Sequence, residues 1–443
     1  MEGTLDNLSI KTVILSWQER FMKTKGVKRH YEDDILSCLG SKPIKMITGF
    51  RRTGKSFISQ MIAQRSVKSK RYKQQNILYL NFEDFRLATI EFSEKLNKIY
   101  QLFKVEIAHP GKMLLIFDEI QNVRDWDAFI RTIYEMEDQI EIVITGSNSE
   151  LLSSEISSKL AGRFISFFIY PFSFKEFLTY HRLVILDDID FIRKQDQIKQ
   201  LFHQYVTFGG LPEIFSISTE NAKKSYLMGI ISKVILDDIV KRFSIKHPHI
   251  IEKVIHYIIL NTGNLTAFTR IANYLKNQHI SVSQDTIIMY VQYIMKTYAL
   301  YDVQKFDWKQ QRIFETTKKY YVVDTGLINF FDSTTQNYSK QIENIVFLQL
   351  RKSQESVYFG HLKSGKEIDF ITKNEDSTFD KYQITVTLTN ENQKRELSPF
   401  NVADQYLAKG ENYLISFDDN EEVVHYQNTS IVRKNIFRFL LNF

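Results

Sequence analysis

The chain has 443 residues, of which 43% are hydrophobic and 25% charged, and its formal net charge is +6. This length exceeds what one hydrophobic core usually organises, so we expect about two to four domains. The single cysteine excludes a disulfide framework and a cysteine zinc site. No apolar run reaches the roughly 18 residues of a membrane helix, and the first residues lack a signal-peptide pattern, so we expect a cytoplasmic protein without membrane contact.

Residues 12–40 have the apolar spacing of an amphipathic helix and form a helical lead-in to the first domain. Strand-like apolar runs follow, separated by helix-length segments, at residues 44–48, 76–82, 112–117 and 140–145. Runs of this kind are typical of a parallel sheet covered by helices on both faces. We therefore predict a P-loop type α/β domain over residues 1–180.

The remaining chain divides into three predicted domains. Residues 181–247 have a mostly helical pattern, broken by the GGLP turn at 209–212, and are expected to form a helical lid or linker. Residues 248–305 carry helix-period segments that fit a small winged-helix-like domain. Residues 306–443 alternate strand candidates with a helical segment and indicate a third, α/β domain. The predicted fold class is multidomain α/β.

A phosphate-binding loop is predicted at residues 49–56, because GFRRTGKS matches the pattern G-x-x-x-x-G-K-[ST] between a strand and a helix. The glycines let backbone N–H groups face phosphate, and the following helix N-terminus favours negative charge. Lys55 is expected to reach the β- and γ-phosphates, and Ser56 to ligate Mg²⁺. The predicted ATP-binding residues are Gly49, Arg51, Arg52, Thr53, Gly54, Lys55, Ser56 and Phe57. The alternative is an ordinary glycine turn between a strand and a helix.

Two acids, Asp118 and Glu119, follow the apolar run LLIF. Asp118 is expected to hold Mg²⁺ through water, and Glu119 to polarise the water that attacks the γ-phosphate. Two acids after a strand are by themselves more often a turn. The phosphate loop upstream favours the functional interpretation, which makes the domain an ATP hydrolase.

Two further residues are predicted to take part in catalysis. Asn148 follows the next strand and is expected to sense the γ-phosphate and orient the water, and its alternative role is that of a turn residue. Arg163 is a candidate for stabilising transition-state charge on a neighbouring subunit, and its alternative role is a surface salt bridge. The side chains of Arg51 and Arg52 either touch phosphate or are simply solvated.

A series of short segments makes the sequence resemble a known family, namely GFRRTGKS, YLNFEDFRL, LLIFDEIQNV, ITGSNSELLSSEISSKLAGR, YPFSFKEFL, FGGLPEIF, LDDIVKR, KYYVVDTGLINF, ENIVFLQLR and GKEIDF. They are similar in kind and order to bacterial and archaeal ATPases that join an AAA-type P-loop domain to a C-terminal DUF4143 domain. The resemblance covers nearly the whole chain. It implies ATP as the nucleotide, a winged helix around residues 248–304 and a C-terminal domain with a restriction-endonuclease-like fold.

The implied nuclease pattern is incomplete in this sequence. It requires a glutamate on a helix, an aspartate on a strand, and Glu-x-Lys on the next strand, which bind metal and activate water. Glu343 and Asp369 are available, but Gln383 and Thr385 stand where the last acid and the lysine are needed. We therefore expect a degenerate nuclease fold used for binding or assembly, with nuclease activity not expected.

Three functions compete. The first is an ATP-driven conformational switch, in which contacts to the γ-phosphate rearrange domains or subunits. The second is an ATP-dependent protein that binds or processes DNA through the winged helix and the nuclease-like domain. The third is a module that binds ATP without hydrolysing it, against which Glu119 argues. Candidate partners are DNA, another protein and further copies of this chain.

Overall fold

The computed structural model describes residues 6–88, 90–147, 149, 151, 159–307, 312–331, 338–354, 356–361, 365–419 and 421–442. The chain forms two compact units. The first comprises Met1–Tyr170 and Lys296–Tyr298, and the second comprises Pro171–Met295 and Ala299–Phe443. The finer division into four domains stays a prediction.

The lead-in of the first unit consists of two helices, α1 (Asn7–Lys23) and α2 (His30–Cys38). The carboxylate of Asp6 caps α1 by accepting the Ser9 N–H at 2.6 Å. Between the helices, Gly26 lies so close to Phe57 that an added Cβ would be 2.6 Å from the ring. This segment therefore covers the helix that follows the phosphate loop.

A five-stranded sheet forms the centre of the first unit. All its neighbouring strands are parallel, in the order β2-β3-β4-β1-β5. The strands are β1 (Ile44–Thr48), β2 (Ile77–Asn81), β3 (Met113–Asp118), β4 (Ile140–Gly146) and β5 (Phe164–Phe168). Strands β1, β3 and β4 are buried at every position. This confirms the parallel α/β sheet that the apolar runs predict.

Helices connect the strands and cover the sheet. They are α3 (Lys55–Lys68), α4 (Ser93–Glu106) and α5 (Trp126–Met136). Because the strands are parallel, the chain leaves β1, β3 and β4 at the same edge. The phosphate loop, Asp118 and Gly146 therefore lie along one edge of the sheet, where ligands bind in open α/β sheets.

The first half of the second unit is helical. Its helices are α6 (Phe174–Tyr180), α7 (Asp188–Arg193), α8 (Gln195–Phe208), α9 (Glu220–Lys233), which continues as a π-helix (Val234–Lys241), α10 (Pro248–Leu260), α11 (Phe268–Lys276) and α12 (Gln284–Lys296). Ser283 lies directly before α12, and its hydroxyl accepts the Thr286 N–H at 3.2 Å, which caps the helix.

The remaining helices are α13 (Thr325–Phe331), α14 (Ser339–Ser353), α15 (Gln393–Ala403) and α16 (Ile436–Leu441). The strands are β6 (Leu265–Thr266), β7 (Leu300–Asp307), β8 (Arg312–Val322), β9 (Val357–His361), β10 (Glu367–Lys373), β11 (Phe379–Ile384), β12 (Lys409–Ser416), β13 (Val423–Tyr426) and β14 (Thr429–Asn435). They form one mixed sheet in the order β13-β14-β12-β11-β10-β9-β7-β8-β6.

The break after α8 has a specific structural cause. Gly209 adopts a φ of +80°, which glycine tolerates and other residues rarely adopt. The buried carboxylate of Asp324 accepts the N–H of Gly210 at 2.6 Å and that of Gly326 at 2.9 Å. The carboxylate thus joins the GGLP turn to the start of α13 within the second unit.

Within the described parts of the chain, no helix combines the length and the apolar character needed to span a bilayer.

Candidate nucleotide site

The phosphate loop joins the end of β1 to the start of α3. Gly49 has a φ of +148°, and a Cβ at this position would be 2.3 Å from the backbone oxygen of Ile169. Gly54 has a φ of +98° and is the residue directly before α3. Both glycines are therefore required by the backbone, and the loop delivers the N-terminus of α3 to the edge of the sheet.

Lys55 is the first residue of α3, and its side chain is only 3% exposed. Its ammonium donates to the Phe50 carbonyl at 3.0 Å and lies 3.7 Å from the Glu119 carboxylate. Burial lowers the pKa of Lys55, while the charges of Glu119 and Asp118 oppose that effect. A buried cation is thus held beside the loop, with a carboxylate as its partner.

Asp118 ends β3 and accepts four hydrogen bonds. One carboxylate oxygen accepts from Ser56 Oγ at 3.1 Å and from Thr145 Oγ1 at 2.5 Å. The other accepts from the Tyr79 hydroxyl at 3.1 Å and from Asn81 Nδ2 at 2.7 Å. The strands β2 and β4 therefore orient the carboxylate toward the first turn of α3.

Asp118 is fully buried, and its charge is costly there. Burial raises the pKa of Asp118 to about 6, and the neighbouring charge of Glu119 adds to the effect. A divalent cation would stabilise this carboxylate more than its uncharged donors do. The Ser56 hydroxyl and the Asp118 carboxylate, which touch each other, form the oxygen donor pair expected for Mg²⁺.

Glu119 has a left-handed backbone conformation, with a φ of +56°. Its N–H donates to Thr145 Oγ1 at 3.0 Å, which fixes the turn at the end of β3. Gln121 donates its amide N–H to the Glu119 carboxylate at 2.5 Å. The Glu119 carboxylate is consequently held between Gln121 on one side and Lys55 on the other.

Gln121 is a further candidate site residue, and the sequence motifs assigned it no role although the segment LLIFDEIQNV contains it. Its amide oxygen is buried and has no hydrogen-bond partner among the described residues. The one feature of the sequence that could have indicated it is an amide side chain two residues after Glu119. We interpret Gln121 as a positioning residue for Glu119.

If the site hydrolyses ATP, as the motifs predict, substituting Gln121 with methionine is expected to reduce the maximal rate of hydrolysis about tenfold and to change the ATP dissociation constant little. The methionine keeps the volume but no longer donates to Glu119, so the carboxylate loses its fixed direction. Steady-state kinetics and calorimetry separate the two quantities. Gln139→Met, at an exposed position, is the control, and an unchanged rate in Gln121→Met would remove Gln121 from the site.

The remaining predicted ATP-binding residues each have their own contacts or backbone conformation. Arg51 forms an ion pair with Glu83 at 3.0 Å, and its side chain is 15% exposed. Arg52 has a left-handed backbone with a φ of +64°. Thr53 is buried and donates its hydroxyl to the Phe50 carbonyl at 2.9 Å. Phe57 packs against the core of the first unit.

The two further catalytic candidates are Asn148 and Arg163. Asn148 lies outside the described residues. Arg163 directly precedes β5, at the edge of the sheet opposite the phosphate loop, because Ile44 at the start of β1 pairs with Phe164. Its guanidinium bonds Glu135 at 2.9 Å, on the surface. Within one chain, Arg163 is therefore not brought to the nucleotide site, and its role on a neighbouring subunit stays a prediction.

The geometry fits a magnesium-bound nucleoside triphosphate. Two glycines with positive φ shape a loop without side-chain obstruction, a buried ammonium faces it, and a hydroxyl–carboxylate pair adjoins them. A parallel sheet with this loop at its carboxyl edge defines a P-loop domain. A family model described as "AAA domain" matches residues 41–178, which assigns this P-loop domain to the AAA class.

The whole-chain relatives define the family. The chain is 33% identical over 397 residues to "Uncharacterized protein MJ1544" of Methanocaldococcus jannaschii, covering 88% of this chain and 84% of the relative. It is 31% identical over 350 residues to an "Uncharacterized protein" of Haemophilus influenzae, covering 79% and 84%. The chain belongs to the family of these two proteins.

The C-terminal family expected from the motifs is wrong. Residues 199–338 match the model described as "Domain of unknown function (DUF8612)", not DUF4143. The segments FGGLPEIF and KYYVVDTGLINF lie within this match and contain Gly210 and Asp324, which bond each other. This contact explains a structural need for both segments, and it does not by itself identify a family.

Among solved structures, the chain is similar to "The walker-type atpase paby2304 of pyrococcus abyssi". The identity is 13%, the TM-score is 0.42, and the match covers 70% of this chain and 99% of the other. A likeness of this degree carries no functional conclusion.

Proposed function

We propose that this protein is a Mg²⁺-dependent ATPase that acts as a nucleotide-driven conformational switch. The observation that carries the proposal is one cluster at the carboxyl edge of the parallel sheet. There the Lys55 ammonium contacts Glu119, and the Ser56 hydroxyl contacts Asp118. Phosphate binding, metal binding and proton transfer each have a candidate group in this cluster.

The roles follow from the chemistry of each group. The loop N–H groups and Lys55 bind the β- and γ-phosphates. Ser56 and Asp118 would hold Mg²⁺, which when bound supplies positive charge beside the phosphate oxygens. Glu119 orients the attacking water and accepts its proton, while Gln121 keeps the carboxylate in place.

The switch rests on the partner exchange of Lys55. Its ammonium lies 3.7 Å from the Glu119 carboxylate, and a γ-phosphate would compete for the same ammonium. These alternative partners would give the site two arrangements that differ in their contacts to the phosphate, which is the requirement for a nucleotide-dependent shift. We propose that this shift changes the arrangement of the remaining domains or of neighbouring subunits, with Arg163 acting in trans.

Phosphate release from ATP and Mg²⁺ tests the proposal. We expect turnover by the full chain and a loss of at least about a hundredfold in Lys55→Ala, because the variant lacks the buried positive charge beside the loop. Lys68→Ala, at the far end of α3, is the control and should retain activity. Absence of turnover by the unmodified chain, with ATP bound, would reject hydrolysis and leave a nucleotide-gated binding protein.

The second candidate function is an ATP-dependent action on DNA. The elements run in the order α10-β6-α11-α12-β7-β8, and β8 pairs antiparallel with both β6 and β7. This is the order of a winged helix. The elements α14-β9-β10-β11-α15-β12 follow, with β11 and β12 parallel, which is the order of a restriction-endonuclease core. Both orders support the candidate as fold analogy alone.

A polar cavity of about 470 Å³ in the second unit is the observation that favours an action on DNA. Its walls include Glu343 of α14, Glu367 and Asp369 of β10, Glu396 of α15, and Lys319 of β8. The Lys319 ammonium lies 3.5 Å from Glu343 and also contacts Glu367. Burial lowers the pKa of Lys319, but the surrounding carboxylates outweigh it and hold the pKa above its usual value.

This cavity contains a lysine that the sequence pattern did not reveal. Lys319 comes from a strand outside the expected Glu-x-Lys position, where Thr385 stands. Gln383 donates to Glu396 at 3.1 Å, and its buried amide oxygen has no partner among the described residues. The described residues contain no three acidic, histidine or cysteine side chains placed to hold a metal ion. A cation here would therefore need Gln383 and water in addition to Asp369.

Binding of Mn²⁺ to the nucleotide-free full chain, followed by electron paramagnetic resonance, tests the second candidate. Asp369→Asn is expected to weaken one class of bound Mn²⁺ at least about tenfold, because a buried carboxylate is a principal ligand. Asp376→Asn, in the exposed turn after β10, is the control. Equal binding by Asp369→Asn and the unmodified chain would remove the cavity as a metal site. A duplex-cleavage assay with Mn²⁺ then distinguishes DNA binding from DNA cleavage.

A further inference from the structure

A buried arginine outside the phosphate loop contacts the loop backbone in the first unit. Arg29 directly precedes α2 and is only 1% exposed. One guanidinium nitrogen donates to the Thr53 carbonyl at 3.0 Å, and another donates to the Tyr170 carbonyl at 2.9 Å. The guanidinium thus connects the loop to the segment that follows β5.

That segment also supports the loop at its other end. The Ile169 N–H donates to the Thr48 carbonyl at 2.7 Å, and Gly49 lies against the Ile169 oxygen. The loop is therefore held against residues 169–170 at its start by close backbone contact. Near its end it is held through Arg29, whose planar, forked guanidinium reaches both carbonyl groups at once.

The contact with Thr53 determines the direction of a neighbouring N–H group. The peptide bond between Thr53 and Gly54 is planar and trans, so the Thr53 C=O and the Gly54 N–H point in opposite directions. Because Arg29 binds the carbonyl oxygen, the Gly54 N–H points away from Arg29. A Cβ on Gly54 would lie 3.6 Å from the guanidinium, so the two groups are in direct proximity.

We propose that Arg29 is a positioning residue that turns the Gly54 N–H toward the phosphates and holds the loop in its binding shape. The proposal rests on the proposed binding of ATP at this loop. It makes phosphate affinity depend on a side chain 24 residues before the loop residue that it contacts. The buried positive charge also favours an anion on the opposite side of the Gly54 peptide.

A second charged contact provides a matched control. Glu32 is fully buried and accepts the Arg29 N–H at 2.8 Å and a guanidinium N–H of Arg65 at 3.2 Å. Arg65 lies in the last turn of α3. Arg65→Gln therefore removes an arginine from the same side of the fold without removing a donor to the loop.

Calorimetric titration of the full chain with ATP and Mg²⁺ tests the proposal. We expect Arg29→Lys to weaken ATP binding about ten- to a hundredfold, because a single ammonium cannot bond both carbonyls. Arg65→Gln should stay within about threefold of the unmodified chain. Hydrogen exchange of residues 50–56, measured well below the unfolding temperature, should become faster in Arg29→Lys only, a result that a general loss of stability would not produce.

The outcomes are separable. If the unmodified chain does not bind ATP, the proposed function fails before Arg29 is considered. If it binds and a folded Arg29→Lys binds within about threefold, Arg29 does not position the loop. Should Arg29→Lys fold poorly, Arg29→Ala with added guanidinium ion replaces it. Recovery of ATP affinity with guanidinium but not with methylammonium supports the proposal, and equal recovery or none overturns it.

Discussion

Glutamine in place of Glu119 is expected to leave ATP bound and to reduce its hydrolysis at least about a hundredfold. The amide keeps the size of the side chain and its contact with Gln121, but it cannot accept a proton from water. It also removes the charge that pairs with Lys55, so ATP affinity should be unchanged or higher. Single-turnover hydrolysis and a direct binding titration measure the two effects separately.

Glu94→Gln, at an exposed position of α4, is the control for the same chemical change. Hydrolysis by Glu119→Gln at the rate of the unmodified chain would show that another group activates the water. A loss of ATP binding in Glu119→Gln would instead mean that the carboxylate supports the shape of the loop.

The second large effect concerns stability. Gly209→Ala is expected to lower the free energy of unfolding by about 3 kcal/mol or more, because two costs coincide. A Cβ would be 1.6 Å from a carboxylate oxygen of Asp324, and the φ of +80° is unfavourable for alanine. Displacing the carboxylate also leaves the Gly210 N–H without its acceptor.

Gly229 offers a matched comparison, since it lies within α9 and an added Cβ would meet nothing within 4 Å. Gly229→Ala should stabilise the chain by up to about 1 kcal/mol through helix propensity. Urea unfolding of both variants gives the free energies. Equal stabilities for Gly209→Ala and the unmodified chain would show that Asp324 does not depend on this close approach.

The sequence predicted those functional groups that belong to one short, continuous motif. The phosphate loop and the Asp118–Glu119 pair are of this kind, because each directly follows the apolar run of one strand. Residues that act across long separations were not predictable. Arg29 bonds a carbonyl 141 residues away, and Lys319 reaches carboxylates on α14 and β10.

The apolar runs predicted four strands of the first sheet but not β5. Its residues are only partly buried or exposed, because β5 is the outermost strand of the sheet and pairs with β1 alone. A half-buried strand lacks the continuous apolar run of a central one. Because β5 was not predicted, the support of the phosphate loop was not predicted either, since the loop packs against the backbone directly after β5.

The contact between Lys55 and Glu119 has a consequence for ATP affinity and for water activation in the proposed ATPase. The ammonium proposed to bind phosphate and the carboxylate proposed to activate water lie 3.7 Å apart and neutralise each other. Under the proposed function, a phosphate that draws the ammonium away would leave the carboxylate more basic and better able to accept a proton. Part of the binding energy would then go into separating the pair, so we expect weaker affinity to accompany activation of the water only when nucleotide is bound.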